Sequence, residues 1–259
     1  MTSEPTVFVH RTPDELAESV CGRLVTTLVE AQSAGRMPHL VLTGGSIADR
    51  IHAAIASSPA RDAVDWSRVE VWWGDERFLP SGHPDRNETQ ARGALLDHLR
   101  LDPARVHPML SSDAAHDDPD RAASHYVDEL AAAAHPEDHG DIPTFDVVML
   151  GVGPDGHVAS LFPEKPALYE ERAAVAVRGS PKPPPIRVTL TLRALRNARE
   201  VWFVVAGDDK AKAVHLALTG TGVVQVPAAG PHGLQRTLWL LDRAAASQLP
   251  AGLTRLASP

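Results

Sequence analysis

The segment Pro154-Asp155-Gly156-His157 sets an imidazole two positions after a carboxylate, inside a stretch built from glycine and proline. Pro-Asp-Gly is strong turn chemistry, so Gly151 to His157 reads as a rigid turn that presents His157 beside Asp155. A histidine next to a carboxylate is a general-base arrangement, because the carboxylate orients the ring while the ring exchanges protons near neutral pH. The same segment contains Gly151-x-Gly153-x-x-Gly156, the spacing of a dinucleotide fingerprint. That fingerprint belongs in a first βαβ unit and opens a helix, whereas here it lies past the middle of the chain and runs into a turn. A turn histidine without a chemical role is the remaining reading of these residues.

Leu42-Thr43-Gly44-Gly45-Ser46 is a second candidate. Paired glycines let the backbone approach a ligand closely, and a following helix offers free N–H groups and a positive dipole end to a phosphate. Two alternatives stay open. Ser46 can simply cap a helix, or Gly44-Gly45-Ser46-Ile47-Ala48 can be a nucleophile elbow whose last glycine is replaced by Ala48. In Trp72-Trp73-Gly74-Asp75-Glu76-Arg77-Phe78, two carboxylates and a guanidinium follow an aromatic strand. They suit polyol hydroxyls and an anion, but alone they also read as a solvated turn with a local ion pair. Arg187, which opens a strand after a proline-rich segment, and Lys210, at the start of a helix, are basic residues at element junctions. Of the 13 histidines, His135 and His139 are four apart with Glu137 and Asp138 between them. Pro136 and Gly140 make that stretch loop, and no H-E-x-x-H or paired C-x-x-C occurs, so no metal site is expected.

The elements that must position these groups are legible from periodicity and caps. A strand is expected at Thr6 to His10. A helix follows from Thr12, with Pro13 at its first position and Glu15 completing a capping box, and Leu16, Val20, Leu24 and Leu28 on its buried face. Strands are expected at His39 to Leu42, Val69 to Trp73, Phe145 to Leu150, Val201 to Ala206 and Thr237 to Leu241. Arg187 to Leu192 reads as a half-buried strand. Helices are expected through Ile51 and Ile55, from Asn87 as cap through Leu95, Leu96 and Leu99, from about Arg121 to Ala134, from Lys210 to Thr219, and briefly after Leu241. Ser111 to Asp120 and His135 to Pro143 read as exposed loops, and Gly179 to Pro185 as an extended segment. Alternating strands and helices, with several strands apolar on both faces, predict a Rossmann-like α/β fold: a mainly parallel sheet with helices on both faces and ligands at the strands' carboxyl ends. We find no internal repeat and no interdomain linker, so residues 1–259 are expected to form a single domain.

Bulk properties narrow the function. The chain has 259 residues, 43% hydrophobic and 22% charged, the composition of a soluble globular protein. A formal net charge of -8 argues against bulk binding to nucleic acid or an anionic membrane, so an anionic ligand needs a local basic cluster. Cys21 is the only cysteine, which excludes an internal disulfide, fits a cytoplasmic location and, within a helical pattern, reads as core filler. The opening residues Met1 to Pro5 lack the regions of a signal peptide, and no apolar run is long enough to span a membrane.

Taken together, Leu42 to Ser46, Trp73 to Phe78, Gly151 to Pro163, Ser180 to Leu192 and Val204 to Lys210 resemble the 6-phosphogluconolactonase family, in the family's order along most of the chain. Gly153-Pro154-Asp155-Gly156-His157-Val158-Ala159-Ser160-Leu161-Phe162-Pro163 is the most specific stretch. The related glucosamine-6-phosphate deaminases share the Gly-Asp-Gly-His region but typically continue to Phe-Asn-Glu-Pro, where this chain has Ser160-Leu161-Phe162-Pro163. The family commonly has Ser-Thr-Pro after the paired glycines; this chain has Ser46-Ile47-Ala48 and lacks the hydroxyl at Ile47. The resemblance implies hydrolysis of 6-phospho-D-glucono-1,5-lactone in the oxidative pentose phosphate route, without metal or organic cofactor. It implies His157 as the base, Asp155 orienting it and Asp75 positioning sugar or water. Gly44, Gly45, Ser46, Arg77, Arg187 and Lys210 would hold phosphate and sugar, with Arg77 also able to support the oxyanion. The implied partner is a small phosphorylated sugar lactone, with neither nucleic acid nor membrane, and the implied state is a monomer or weak homo-oligomer. A sugar-phosphate deaminase, a non-catalytic sugar-phosphate sensor and a serine hydrolase using Ser46 remain rival readings.

Overall fold

The computed structural model describes residues 4–138, 140–253 and 255–256. The opening residues 1–3, expected to carry no leader, and His139, weighed as a metal ligand, lie outside the described residues.

The chain runs β1 (Thr6–His10), α1 (Pro13–Ser33), β2 (His39–Leu42), α2 (Ser46–Ser57), β3 (Glu70–Trp73), β4 (Asp75–Arg77), α3 (Asn87–Ala94), α4 (Pro119–Ala133), β5 (Phe145–Leu150), β6 (Ala174–Val177), β7 (Arg187–Leu190), α5 (Leu192–Leu195), β8 (Ala198–Val205), α6 (Ala211–Leu218), β9 (Arg236–Asp242) and β10 (Arg255–Leu256). Short 3-10 turns join several of them. Seven strands form one sheet in the order β10-β1-β9-β8-β5-β2-β3, and every pairing in it is parallel. This is the α/β class expected. Central strands alternate between two cores. Val41 on β2, Val148 and Leu150 on β5, and Phe203 on β8 pack with α4, α6 and the smaller sheet. Leu40, Leu42, Val147, Met149 and Trp202 pack with α1 and α2 on the opposite face. Burial on both faces is the reason these strands read as continuous apolar runs.

Chain direction decides where a ligand can sit. From β2 the chain steps outward to β3; from β5, the other neighbour of β2, it steps the opposite way to β8. The loops leaving β2 and β5 therefore diverge, and a crevice opens between their carboxyl ends.

Several elements differ from the sequence-based expectation. The first helix begins as expected, Thr12 Oγ1 accepting from the Glu15 N–H at 3.2 Å, although the Glu15 carboxylate reaches the N–H of Arg11 rather than that of the cap. Asn87 is not a cap: Arg86 holds that place and α3 ends at Ala94, with Leu95 and Leu96 buried beyond it. Asp75 to Arg77 is not a turn but a strand, paired antiparallel with β7 in a small second sheet of order β4-β7-β6. β7 is buried on both faces rather than half-buried, because that sheet lies against the α4 side of the main sheet. β6 and the short β10 have no counterpart in the sequence-based expectation. Turns replace the helix expected after β9. The Ser111 to Asp120 loop is partly buried at Ser111, Ser112 and Ala115, and α4 already starts at Pro119. Gly179 to Pro185 is not extended but folds into a loop closed by the Ser180 N–H donating to the Pro185 carbonyl at 3.0 Å. Cys21 is buried in the α1 core, as expected of core filler.

Candidate active site

At the divergence of the β2 and β5 loops lies a cleft of about 390 Å³. Thr43, Gly44 and Gly45 line one wall and Gly151 to Pro154 with His157 another. Asp75 and Arg77 contribute from β4, Arg187 from β7, and Asp209 and Lys210 from the turn after β8.

The two glycine walls are shaped by close approach. A Cβ on Gly44 would lie 2.0 Å from Oδ1 of Asn87, so the first residue of α3 can pack against the loop only because Gly44 has no side chain. A Cβ on Gly153 would lie 2.1 Å from the His157 ring and 2.6 Å from Oδ1 of Asp155. Gly153 thus vacates the space the His157–Asp155 pair occupies. The turn is closed by the Gly153 N–H donating to the His157 carbonyl at 3.0 Å and by the Gly156 N–H donating to the Gly153 carbonyl at 2.9 Å. No helix opens at this glycine run, in contrast to a dinucleotide fingerprint. The Gly151 N–H donates to Thr43 Oγ1 at 3.2 Å and ties the two walls together.

His157 Nδ1 lies 2.5 Å from Asp155 Oδ1. An ionised carboxylate only accepts, so in the neutral ring Nδ1 carries the proton and Nε2 is the accepting nitrogen. Burial alone would raise the Asp155 carboxyl; the His157 hydrogen bond and the positive charges of His157 and Lys182 outweigh it and hold the group at about 2. The ring packs 4.6 Å from that of Phe162, centroid to centroid. Asp155 itself sits behind His157 rather than in the cleft wall.

Asp75 is buried. Its Oδ2 accepts from Ser160 Oγ at 2.6 Å and lies 3.8 Å from Arg187 Nη1. Arg187, also buried, donates from Nε to the Pro184 carbonyl at 3.2 Å and from Nη2 to the carbonyls of Lys182 and Pro183 at 3.2 and 3.1 Å. Burial lowers its proton affinity and Asp75 counters that. Arg77 Nη1 donates to the Asp85 carbonyl at 2.6 Å. Lys210 Nζ bonds both carboxylate oxygens of Asp209, at 2.8 and 2.7 Å, so an anion must share it with Asp209.

Glu76 holds the base of the site. Its carboxylate accepts from the N–H groups of Arg77 at 2.8 Å, Asn87 at 2.7 Å and Glu88 at 2.9 Å, fixing the start of α3 to β4. Burial pushes this carboxyl up to about 7, opposed by Arg86 and by those backbone donors.

Ser46 departs from the grouping expected of it. Gly45, with φ 101°, is the N-cap of α2, and Ser46 is the exposed first residue of the helix, outside the cleft lining. Three cleft or support residues escaped the sequence reading of the site. Asn87 was expected only as a helix cap; its Nδ2 donates to the Asp75 carbonyl at 2.8 Å. Ser160 and Lys182 sit in a turn and a proline-rich loop without local signal; each stands one step from a singled-out residue, Ser160 on Asp75 and Lys182 3.8 Å from Asp155. Among the described residues, no group of three or more His, Cys, Asp or Glu side chains is arranged to hold a metal ion, and no helix is long and apolar enough to cross a membrane.

A family model described as glucosamine-6-phosphate isomerases/6-phosphogluconolactonase matches residues 11–239. The chain is 57% identical over 255 residues to a 6-phosphogluconolactonase of Streptomyces coelicolor, with 98% of each chain covered. It is 47% identical over 240 residues to the 6-phosphogluconolactonase of Mycobacterium tuberculosis, covering 92% of this chain and 96% of the relative. Among solved structures, that of 6-phosphogluconolactonase from Trypanosoma brucei superposes with a TM-score of 0.82 at 28% identity, over 96% of this chain and 100% of the other.

Proposed function

This chain belongs to the glucosamine-6-phosphate isomerase/6-phosphogluconolactonase family, and we propose that it hydrolyses 6-phospho-D-glucono-1,5-lactone to 6-phosphogluconate with His157 as general base. The observation that carries the reading is the 2.5 Å His157–Asp155 pair, which occupies Nδ1 and leaves Nε2 to serve a cleft lined with arginine and lysine.

The lactone carbonyl is already electrophilic, so the reaction needs an oriented water, a base and support for the oxyanion. Nε2 of His157 removes a proton from water as the oxygen attacks the carbonyl carbon. The tetrahedral intermediate collapses by breaking the bond to the ring oxygen, which takes the proton back from the imidazolium. Asp155 keeps the ring in the required tautomer and balances its charge between the two steps. Asp75 acts from its buried position, holding Arg187 and Ser160 in place beside the sugar. Gly44 and Gly45, the free N–H groups at the start of α2, Arg77, Arg187 and Lys210 form the phosphate and sugar subsite. Ser46 contributes its backbone N–H rather than a nucleophilic hydroxyl. The reading needs no metal and no organic cofactor, and it treats the chain as one domain working in the cytoplasm.

The test is a lactonase assay on purified protein with the phosphorylated lactone, unphosphorylated gluconolactone and glucosamine 6-phosphate. A charge-assisted hydrogen bond contributes about 1.5–3 kcal/mol, so losing several phosphate contacts should lower kcat/KM by orders of magnitude. Equal turnover of the unphosphorylated lactone overturns the subsite assignment. Ammonia release from glucosamine 6-phosphate without lactone hydrolysis overturns the reaction in favour of a deaminase.

A further inference from the structure

We propose that Lys182 is a positioning residue for the base: its ammonium shares the Asp155 carboxylate with His157 and keeps the imidazole in its proton-accepting form. The proposal rests on the lactonase reading above and deepens it.

A carboxylate beside an imidazole has two opposed effects. It fixes the tautomer, which catalysis needs, and it favours the imidazolium, which cannot act as a base. A second cation on the same carboxylate removes the second effect without disturbing the first. The geometry supplies one. Lys182 Nζ lies 3.8 Å from Asp155 Oδ1, the same oxygen that His157 Nδ1 approaches at 2.5 Å. The ammonium is therefore no more than about 6 Å from the ring nitrogen, close enough to disfavour a second positive charge there.

The loop carrying Lys182 is built rather than loose. Ser180 Oγ donates to the Lys182 carbonyl at 2.8 Å, and the Lys182 N–H donates back to Ser180 Oγ at 3.2 Å. The buried Arg187 guanidinium holds the carbonyls of Lys182, Pro183 and Pro184 from below. The flanking prolines Pro181 and Pro183 and five hydrogen bonds thus set the root of a side chain that stays 41% exposed, a placement that tolerates substitution.

Of the other charged groups around the base, Arg187 and Lys210 have carboxylate partners of their own, and Arg77 bonds a backbone carbonyl. From β7, Arg187 lies over the Phe162 ring that packs against His157, and it pairs with Asp75 of β4 at 3.8 Å. Arg77 of β4 donates to the Asp85 carbonyl. Lys210 pairs with Asp209 at the far wall. Among the described residues, the ion pairs of Asp155 are with His157 and Lys182.

The experiment compares the pH dependence of kcat/KM for wild type, Lys182→Met and Lys182→Arg, with Kd for 6-phosphogluconate measured at the plateau. Removing one charge at this distance should move the acid limb of Lys182→Met to higher pH by about half a unit to two units, according to how strongly solvent screens it. Lys182→Arg, which keeps the charge, should restore the wild-type limb. The protonation of the His157 ring, followed by NMR and assigned with His157→Asn, should move in the same direction without any turnover. An unmoved limb and an unmoved ring titration in Lys182→Met overturn the proposal. A tenfold or greater weakening of 6-phosphogluconate binding with the limb unmoved also overturns it, because Lys182 would then be a substrate ligand. If wild type fails to hydrolyse the lactone, the lactonase reading falls, while the ring titration still decides whether Lys182 acts on His157.

Discussion

Replacing Asp155 with asparagine tests the assignment of the base more directly than removing the base itself. The Asp155→Asn side chain would keep the shape of the group beside His157 but carry no charge, and its amide could donate to Nδ1. The proton would then sit on Nε2, and the nitrogen facing the cleft could no longer accept one. The magnitude follows from the carboxyl, which the fold holds at about 2 against an ordinary 3.8. At 1.36 kcal/mol per unit the depression corresponds to roughly 2.5 kcal/mol. Because the Asp155 side chain is 36% exposed and Lys182 supplies part of the depression, the ring's share after solvent screening is no more than about 1–2 kcal/mol. That coupling is mutual: what favours ionised Asp155 favours protonated His157, so losing it moves the acid limb of kcat/KM to lower pH by about one unit. The tautomer error should lower kcat on the order of 10²-fold. The assay follows acid release from the phosphorylated lactone between about pH 4.5 and 8, with spontaneous ring opening subtracted at each pH. A shift to lower pH here and to higher pH in Lys182→Met is the paired signature of one carboxylate serving two cations. An Asp155→Asn enzyme with near-normal kcat and an unmoved acid limb would refute the reasoning.

His157→Asn should lower kcat by about 10²–10⁴-fold while leaving 6-phosphogluconate binding, measured by calorimetry, nearly unchanged; near-normal kcat would reduce the turn to structure only. Ser46→Ala should cost no more than about 1 kcal/mol in kcat/KM, since Ser46 is exposed outside the cleft lining; a covalent adduct at Ser46 in mass spectrometry would restore the elbow reading. Activity should survive exhaustive dialysis against EDTA, because no suitable donor cluster exists among the described residues; loss rescued by one divalent ion would reject the metal-free route. Glu76→Gln places an amide where the carboxylate accepts the Glu88 N–H. It should destabilise the fold by about 1–3 kcal/mol, read as a fall of several degrees in Tm; an unchanged Tm would show that the anchor of α3 lies elsewhere.

How much of this was legible beforehand depends on the range over which each feature is encoded. β2 and β5 were readable to the residue, since a short apolar run ending near glycine is a local signal. The α1 cap and its buried face were equally local, carried by Thr12, Pro13 and a four-residue repeat. The Gly153 turn announced the His157–Asp155 pair because both partners lie within one turn, and the choice of tautomer follows from the pair alone. The small sheet was not legible. β4 is three residues long, and its partner Arg187–Leu190 lies far along the chain, so no period could show that the Asp75 carboxylate comes to lie 3.8 Å from the Arg187 guanidinium. Ser160 meets Asp75 across 85 positions, Asn87 reaches the glycine wall only because the Glu76 carboxylate pins α3, and Lys182 finds Asp155 only because Arg187 gathers the carbonyls beneath it. Ser46 shows the reverse case. Its place beside the paired glycines suggested a ligand, but Gly45 takes the cap position and Ser46 is the exposed first residue of α2, outside the cleft lining. Local sequence determined the turns and the chemical groups they carry; tertiary packing alone decided which of those groups share a charge, because a side chain's electrostatic partner is set by distance in space and leaves no trace in the spacing along the chain.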